Sequence, residues 1–392
     1  MLSLADKIKR HSEIILTVCT TYNGTDLLRI YEGGILYYLL PRKKPNSVYD
    51  KSLEAYWLMI INEFEPHVIH IHGTEYAHGL ACMNSCPEQN YVISIQGLVG
   101  VSSEFYFAGI KPLELVKHIT FHDLIRKEIL FQERKRFAKR GKLENEYIKK
   151  TKHVIGRTDW DYAHSKVINS SIQYYFCNET LRSGFYSAHK WDIKKKNDYS
   201  IFLSQAGYPL KGLHQALRAL AIVREHYPQA HLRVAGVDIT RSSSLIDKMR
   251  LGGYGSYIKS ILKRLDLHSN VTFTGILEEK EMIYEFKNAH VFLCPSSIEN
   301  SSNSLAEAQL LGVPCIASFV GGLPNLVTHY ENGILYRFED HVMLAFQIMK
   351  VFKDEKLAAD MSYKGWVTAE KRHNRDYISS RMVEIYSEIM RT

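Results

Sequence analysis

Two glutamates eight positions apart, Glu299 and Glu307, bracket a Pro- and Ser-rich segment, Pro295–Ser304. The apolar run His290–Cys294 before it predicts a strand, and the pattern Ser304–Leu311 after it predicts a helix. In open α/β sheets, ligands bind outside the carboxyl ends of strands. A helix starting there offers unpaired N–H groups and the positive end of its dipole to an anion such as a diphosphate. In that position Glu299 can reach a bound sugar and Glu307 can bond a ribose hydroxyl. Glu307 equally serves as a first-turn acid that complements the dipole. A second cluster, His70, His72, Gly73, Thr74, Glu75 and His78, follows the apolar run His67–Ile71. Three histidines and a glutamate can hold a metal, but no second cluster completes a ligand set, and no metal is predicted. Asp159-Trp160-Asp161 opens a helical pattern and is predicted to cap it rather than bind a metal. Gly252, Gly253 and Gly255 lack both the preceding strand and the spacing of a dinucleotide fingerprint.

The elements that must carry these residues alternate along the chain. Strands are predicted at Glu13–Cys19, His67–Ile71, Tyr91–Ile95, His153–Gly156, Gln173–Cys177, Tyr199–Ser204, His231–Gly236, Val271–Thr274, His290–Cys294, Pro314–Ser318 and Gly333–Tyr336. Most are continuous apolar runs, as parallel strands buried on both faces require. Helical patterns lie between them at Lys51–Asn62, Phe121–Lys150, Leu210–Glu225, Ser256–Leu265, Glu279–Lys287, His341–Phe352 and Asp376–Arg391. Repeated βα units imply parallel sheets covered by helices. Eleven strands exceed one comfortable open sheet, so two α/β domains are predicted. The polar stretch Ser187–Tyr199 marks their boundary.

Composition narrows the class. Of 392 residues, 45% are apolar and 23% charged, which excludes a disordered or fibrous chain. Lys and Arg number 50 against 42 Asp and Glu, and the excess is concentrated. From Lys111 to Lys152 there are 13 Lys/Arg and 6 Asp/Glu. The basic helical region 121–150 also carries Leu124, Ile125, Ile129, Phe131 and Phe137. It either rests on an anionic membrane surface or packs its apolar side inward as a solvated helix. No nucleic-acid module accompanies the charge, so no nucleic-acid partner is predicted. No apolar run reaches the roughly 18–20 residues of a spanning helix, and the polar start Met1–Arg10 lacks a signal peptide. Six scattered cysteines without a CxxC pair fit a cytoplasmic protein with reduced thiols.

Several motifs together resemble one family. Lys211-Gly212, Val271–Gly275, the Glu299/Glu307 spacing, Leu311–Ser318 and Val320–Pro324 resemble glycosyltransferase family 4, in that order along the chain and at the matching element ends. The resemblance is dense over Tyr199–Tyr336. It implies retaining enzymes of the GT-B fold, with two Rossmann-like domains facing a cleft. An acceptor-binding domain would span 1–190, a nucleotide-sugar-binding domain 191–372, and a helix at 373–392 would cross back to the first. Carried over, it assigns Lys211 and Gly212, with the backbone of Asn303, Ser304 and Leu305, to the donor diphosphate. Glu307 would hold the ribose, Gly275 and Ile276 would lie against the base, and Glu299 would sit beside the transferred sugar as the catalytic residue. His72, Gly73, Thr74, Glu75 and Gln96 fall on the acceptor side. No cofactor is implied, since the nucleotide-sugar is a substrate.

The chain departs from the family pattern at three places. Ala206 stands where an Arg is common, with Arg182 or Arg241 as substitutes. Gln96 stands where a His is common, and a Gln cannot take a proton. By the same resemblance, the family's first strand and its Gly-rich loop are expected to be missing before Leu4–Cys19. The predicted function is transfer of a sugar from a nucleotide-sugar to a glycan or lipid-linked acceptor in bacterial surface polysaccharide assembly, in the cytoplasm or at the inner membrane face. A weakly active or inactive relative that binds nucleotide or glycan within an assembly is the alternative.

Overall fold

The structure, a computed structural model, describes residues 2–9, 14–242 and 244–391. Glu13, where the first predicted strand starts, lies outside the described residues. Contacts divide the chain into two compact units, Met1–Val101 with Phe137–Thr180 and His373–Thr392, and Ser102–Arg136 with Leu181–Arg372.

The first unit holds two sheets. Strands β1 (Thr17–Tyr22), β2 (Leu28–Glu32) and β3 (Ile35–Pro41) pair in the order β1-β3-β2. The β2–β3 hairpin is absent from the predicted strands, yet its turn is written in the sequence. Gly33 and Gly34 form the two-residue loop between Glu32 and Ile35, and both have positive φ (58° and 80°), as a tight hairpin turn of this twist requires. Strands β4 (Ile69–His72), β5 (Tyr91–Ser94), β6 (His153–Gly156) and β7 (Gln173–Phe176) form a parallel sheet in chain order. On one face of that sheet the helices Leu2–Ile8 and Arg375–Ile389 bury Leu4, Ile8, Ile378, Met382 and Ile385 against Val92, Ile155 and Tyr175.

The second unit is one parallel sheet of β8 (Ser200–Leu203), β9 (His231–Val234), β10 (Val271–Phe273), β11 (Val291–Cys294), β12 (Cys315–Ser318) and β13 (Ile334–Tyr336). Its order is β10-β9-β8-β11-β12-β13, so the strand order reverses between β8 and β11. That is the doubly wound order, in which ligands occupy the crevice at the reversal. β8, β11, β12 and β13 are buried along their whole length, which is why they read as unbroken apolar runs.

The division between the units falls elsewhere than the predicted 190/191 boundary. The stretch Ser187–Tyr199 is polar in composition but anchored in the second unit. Trp191 is buried, and it donates from its backbone N–H to Leu311 O at 2.7 Å and from Nε1 to Ala289 O at 2.8 Å. Residues 102–136 also belong to the second unit, where Ile110 and Leu115 join the core. His214 donates from Nε2 to Ala108 O at 2.9 Å, and Asp123 accepts the Gly253 N–H at 3.0 Å. The basic stretch is therefore shared between the units. Its predicted single helix is broken at Lys127, whose φ is 55°, into Phe121–Arg126 and Leu130–Lys150. The longer piece buries Gly141, Tyr147 and Ile148 and exposes Lys135, Arg136, Lys139 and Lys142 to solvent.

Candidate nucleotide site

The reversal point of the second sheet gathers the predicted donor residues. After β8 the chain makes a 3-10 turn, Pro209–Lys211, and then Gly212 with φ 72°. A Cβ on Gly212 would lie 1.7 Å from Pro295 O, so only glycine lets this turn approach the loop after β11. The two loops are joined there, with Ser297 N–H donating to Leu210 O at 2.8 Å. The loop after β12 closes the third side. Gly322 N–H donates to Glu299 O at 3.0 Å, and a Cβ on Gly321 (φ 50°) would lie 2.0 Å from that oxygen. These contacts explain the glycines at 212 and 321. They let three backbones converge on Glu299.

Lys211 and Glu299 meet in the crevice. Lys211 Nζ lies 2.5 Å from Glu299 Oε1, and Ser296 Oγ donates to the same oxygen at 2.8 Å. Burial would by itself lower the Lys211 pKa, but the facing Glu299 carboxylate outweighs it and holds the ammonium above its ordinary value. One turn away the helix Asn303–Leu310 begins, with Ser302 as N-cap. Ser302 Oγ accepts from Leu305 N–H at 3.4 Å, so Leu305 already has a cap partner. Asn303 and Ser304 occupy the first turn, where N–H groups have no intrahelical acceptor. Glu307 is buried, and both its oxygens accept from Arg182, Oε1 from Nε at 2.7 Å and Oε2 from Nη2 at 2.6 Å. It is the fifth residue of the helix, past the first turn, and so an ion-paired carboxylate rather than the first-turn acid expected from the sequence. Gly275, with φ 82°, follows β10 and accepts from Gly236 N–H at 2.8 Å, and Ile276 beside it is 82% exposed. Ala206 is buried in the core. Arg241 pairs with Asp247 at 3.1 Å on the surface, whereas Arg182 reaches the site.

The first unit presents a second polar group along the carboxyl ends of its four parallel strands. His72 ends β4, Gln96 follows β5, Arg157 follows β6 and Glu179 follows β7. Arg157 Nη1 donates to Glu179 Oε2 at 2.9 Å and Nη2 to Gln96 O at 2.8 Å, while Gln96 Nε2 donates to Glu179 Oε1. Burial pushes His72 down to about 4 and raises the Glu75 carboxyl. His72 is therefore a neutral hydrogen-bonding group near neutral pH. Gly73 has φ 85° and turns the chain away from β4. Thr74 is drawn elsewhere. Its hydroxyl donates to Glu144 at 3.0 Å, and Glu144 also takes the Val99 and Gly100 N–H groups. Burial pushes the Glu144 carboxyl up to about 7. Arg157 and Glu179 are missing from the predicted set. Their signal is positional, a charged residue just past the end of a parallel strand.

The remaining motifs resolve as structure. His70 and His72 stack at 3.8 Å on one face of β4, and His70 also bonds Tyr386 OH and Ser94 Oγ at 2.7 and 2.6 Å. Among the described residues no group of three His, Cys, Asp or Glu could hold a metal ion. At Asp159–Asp161 the cap is Thr158, with Asp161 closing a capping box from the third helical position. Among the described residues no helix is long and apolar enough to cross a membrane.

Similarity to solved structures extends over nearly the whole chain. A sucrose-phosphate synthase from Thermosynechococcus elongatus superposes with a TM-score of 0.72 at 18% identity, over 98% of this chain and 91% of that one. The fold is GT-B. A second GT-B neighbour, Anabaena HepE in complex with UDP-glucose, has a TM-score of 0.62 at 17% identity and covers 89% of this chain and 86% of that one. Residues 187–366 match the family model described as glycosyl transferases group 1, a segment that contains Lys211, Glu299, Glu307 and the helix start at Asn303 but not Arg182. N-acetyl-alpha-D-glucosaminyl L-malate synthase of Bacillus anthracis is 28% identical over 134 residues, 34% of this chain and 35% of that protein. The capsular polysaccharide biosynthesis glycosyltransferase CapM of Staphylococcus aureus is 25% identical over 181 residues, 46% of this chain and 44% of that protein. The matches thus span about a third to a half of the length of these curated relatives.

Proposed function

We propose that this GT-B chain is a retaining glycosyltransferase that moves a sugar from a nucleotide-sugar to a glycan or lipid-linked acceptor in bacterial surface polysaccharide assembly. The observation that carries the reading is the convergence of Lys211, Glu299 and a helix N-terminus at the strand-order reversal of the second sheet, with Glu307 one turn further on. The HepE complex with UDP-glucose and the polysaccharide-pathway relative CapM support it. The diphosphate would lie against Asn303 and Ser304 N–H groups and Lys211, which offset the charge that develops on the leaving group. Glu299 would exchange its bond to Lys211 for a hydroxyl of the transferred sugar. The acceptor oxygen bonds the sugar as the sugar–phosphate bond breaks, and the acceptor proton passes to the departing phosphate oxygen. No protein nucleophile is needed. The group His72, Gln96, Arg157 and Glu179 would hold the acceptor, and Gln96, which cannot take a proton, would only orient it.

A lipid-linked acceptor gives the exposed apolar residues of 113–127 a use. Leu113, Val116, Phe121, Leu124 and Ile125 are all more than half exposed, with Lys111, Lys117, Arg126 and Lys127 among them. That surface, rather than the inward-packed helix Leu130–Lys150, would rest on an anionic membrane. Donor hydrolysis and transfer by the wild type, Glu299→Ala and Lys211→Ala test the proposal, with the product anomer read by NMR. A nucleotide-binding partner without turnover is the second reading, favoured by the buried Ala206 where the family carries a cation. Tight nucleotide binding with no donor turnover would select it.

A further inference from the structure

Arg182 meets Glu307 as a fork, with Nε on one carboxylate oxygen at 2.7 Å and Nη2 on the other at 2.6 Å. Two parallel donors on two oxygens is the bidentate arrangement of a guanidinium on a carboxylate. The vicinal hydroxyls of a ribose approach a carboxylate in the same way, one O–H to each oxygen. Fork and diol therefore compete for the same pair of acceptor positions. We propose that Arg182 is an internal placeholder for the ribose diol, holding Glu307 in the empty site and displaced when the nucleotide binds. The inference rests on Glu307 being the ribose-binding carboxylate.

The two partners are unequal in a way that suits exchange. The Glu307 side chain is 5% exposed and that of Arg182 is 40% exposed. A buried carboxylate needs a partner at all times, whereas a guanidinium at the mouth can turn into water at small cost. The fork is also built rather than incidental. Leu181 N–H donates to Tyr186 OH at 3.0 Å and Gly184 N–H to Glu279 Oε1 at 2.7 Å, so the backbone on both sides of Arg182 is fixed. The buried Phe185 ring lies 4.6 Å from the guanidinium carbon and supports its plane. A nucleotide without the diol cannot replace a two-point fork and leaves Arg182 in place. Arg182 thus lowers affinity for ribonucleotides selectively.

Calorimetric titration with UDP, GDP and ADP and with their 2′,3′-dideoxy analogues tests this, using wild type, Arg182→Ala, Arg182→Lys and Glu307→Gln. Loss of a cation near the diphosphate weakens ribo and dideoxy nucleotides alike and cancels in their affinity ratio. Arg182→Ala is expected to raise the ribo/dideoxy ratio about tenfold, the scale of one charge-assisted contact. Arg182→Lys, which cannot form the fork, raises it in the same direction. An unchanged or falling ratio in Arg182→Ala overturns the placeholder, provided Glu307→Gln abolishes the wild-type ribo preference. If Glu307→Gln leaves that preference unchanged, the ribose assignment of Glu307 has failed and the placeholder falls with it.

Discussion

Replacing Lys211 by Met removes a charge and leaves a carboxylate behind, so the two consequences can be separated. The side chains of Lys211 and Glu299 are 20% and 16% exposed. Breaking a fully buried pair by deleting one partner costs about 3–5 kcal/mol. Here some water access remains, and Ser296 Oγ still donates to Glu299 at 2.8 Å, so about 1–2 kcal/mol is expected. At about 2–4 °C per kcal/mol for domains of this size, Lys211→Met should melt a few degrees below wild type. Glu299→Gln should lose a similar amount by leaving the ammonium with a neutral amide. The double variant leaves no charge unpaired and should recover most of the loss, giving a coupling of about 2 kcal/mol in a double-mutant cycle. Nucleoside diphosphate affinity should behave differently. Lys211→Met should weaken it about 10- to 100-fold, and adding Glu299→Gln should not restore it. Additive stability losses, or affinity rescued by the second substitution, would refute the reasoning.

Other consequences follow from single contacts. Gly212→Ala places a Cβ 1.7 Å from Pro295 O at a φ of 72°. It should cost more than the roughly 1–2 kcal/mol of a left-handed residue alone, measured by urea unfolding, with nucleotide binding lost in parallel. His214 is buried, bonded to Ala108 O and Tyr254 OH, and burial pushes its pKa down to about 3. The unfolded chain takes up that proton near pH 6.5 and the folded chain does not, so stability is full above that pH and falls as the pH drops toward 3. His214→Gln should reduce the slope of unfolding free energy between pH 6 and 4 by about 1.4 kcal/mol per pH unit. Arg157→Ala should remove the cation that holds Glu179 Oε2 and weaken acceptor binding while leaving nucleotide affinity unchanged by calorimetry. Phe121→Ser with Leu124→Ser and Ile125→Ser should abolish sedimentation with phosphatidylglycerol vesicles and leave the melting temperature within a degree or two.

The parallel strands are legible in the sequence because burial on both faces leaves only apolar residues to choose from, as in Val291–Cys294 and Cys315–Ser318. The hairpin β2–β3 is harder. All five residues of β2 are exposed, so no buried face imposes an alternation, and Gly33-Gly34 is its main mark. The domain boundary misleads for a related reason. Ser187–Tyr199 is polar in composition, yet Trp191 and its two hydrogen bonds tie it into the second unit. Glu299, Glu307 and Lys211 stand out because loops at strand ends concentrate chemistry. Their partners do not, since the Arg182–Glu307 fork joins residues 125 positions apart and exists only after the sheet is wound.

The account stands most directly on nucleotide binding at the strand reversal of the second unit. Calorimetric titration of UDP, GDP and ADP into the wild type and into a Lys211→Ala/Glu307→Ala double variant measures it. One of the three should bind the wild type with one site per chain, and the double variant should lose at least a hundredfold in affinity. Equal affinity for wild type and double variant, or no binding of any of the three to the wild type, would contradict the site.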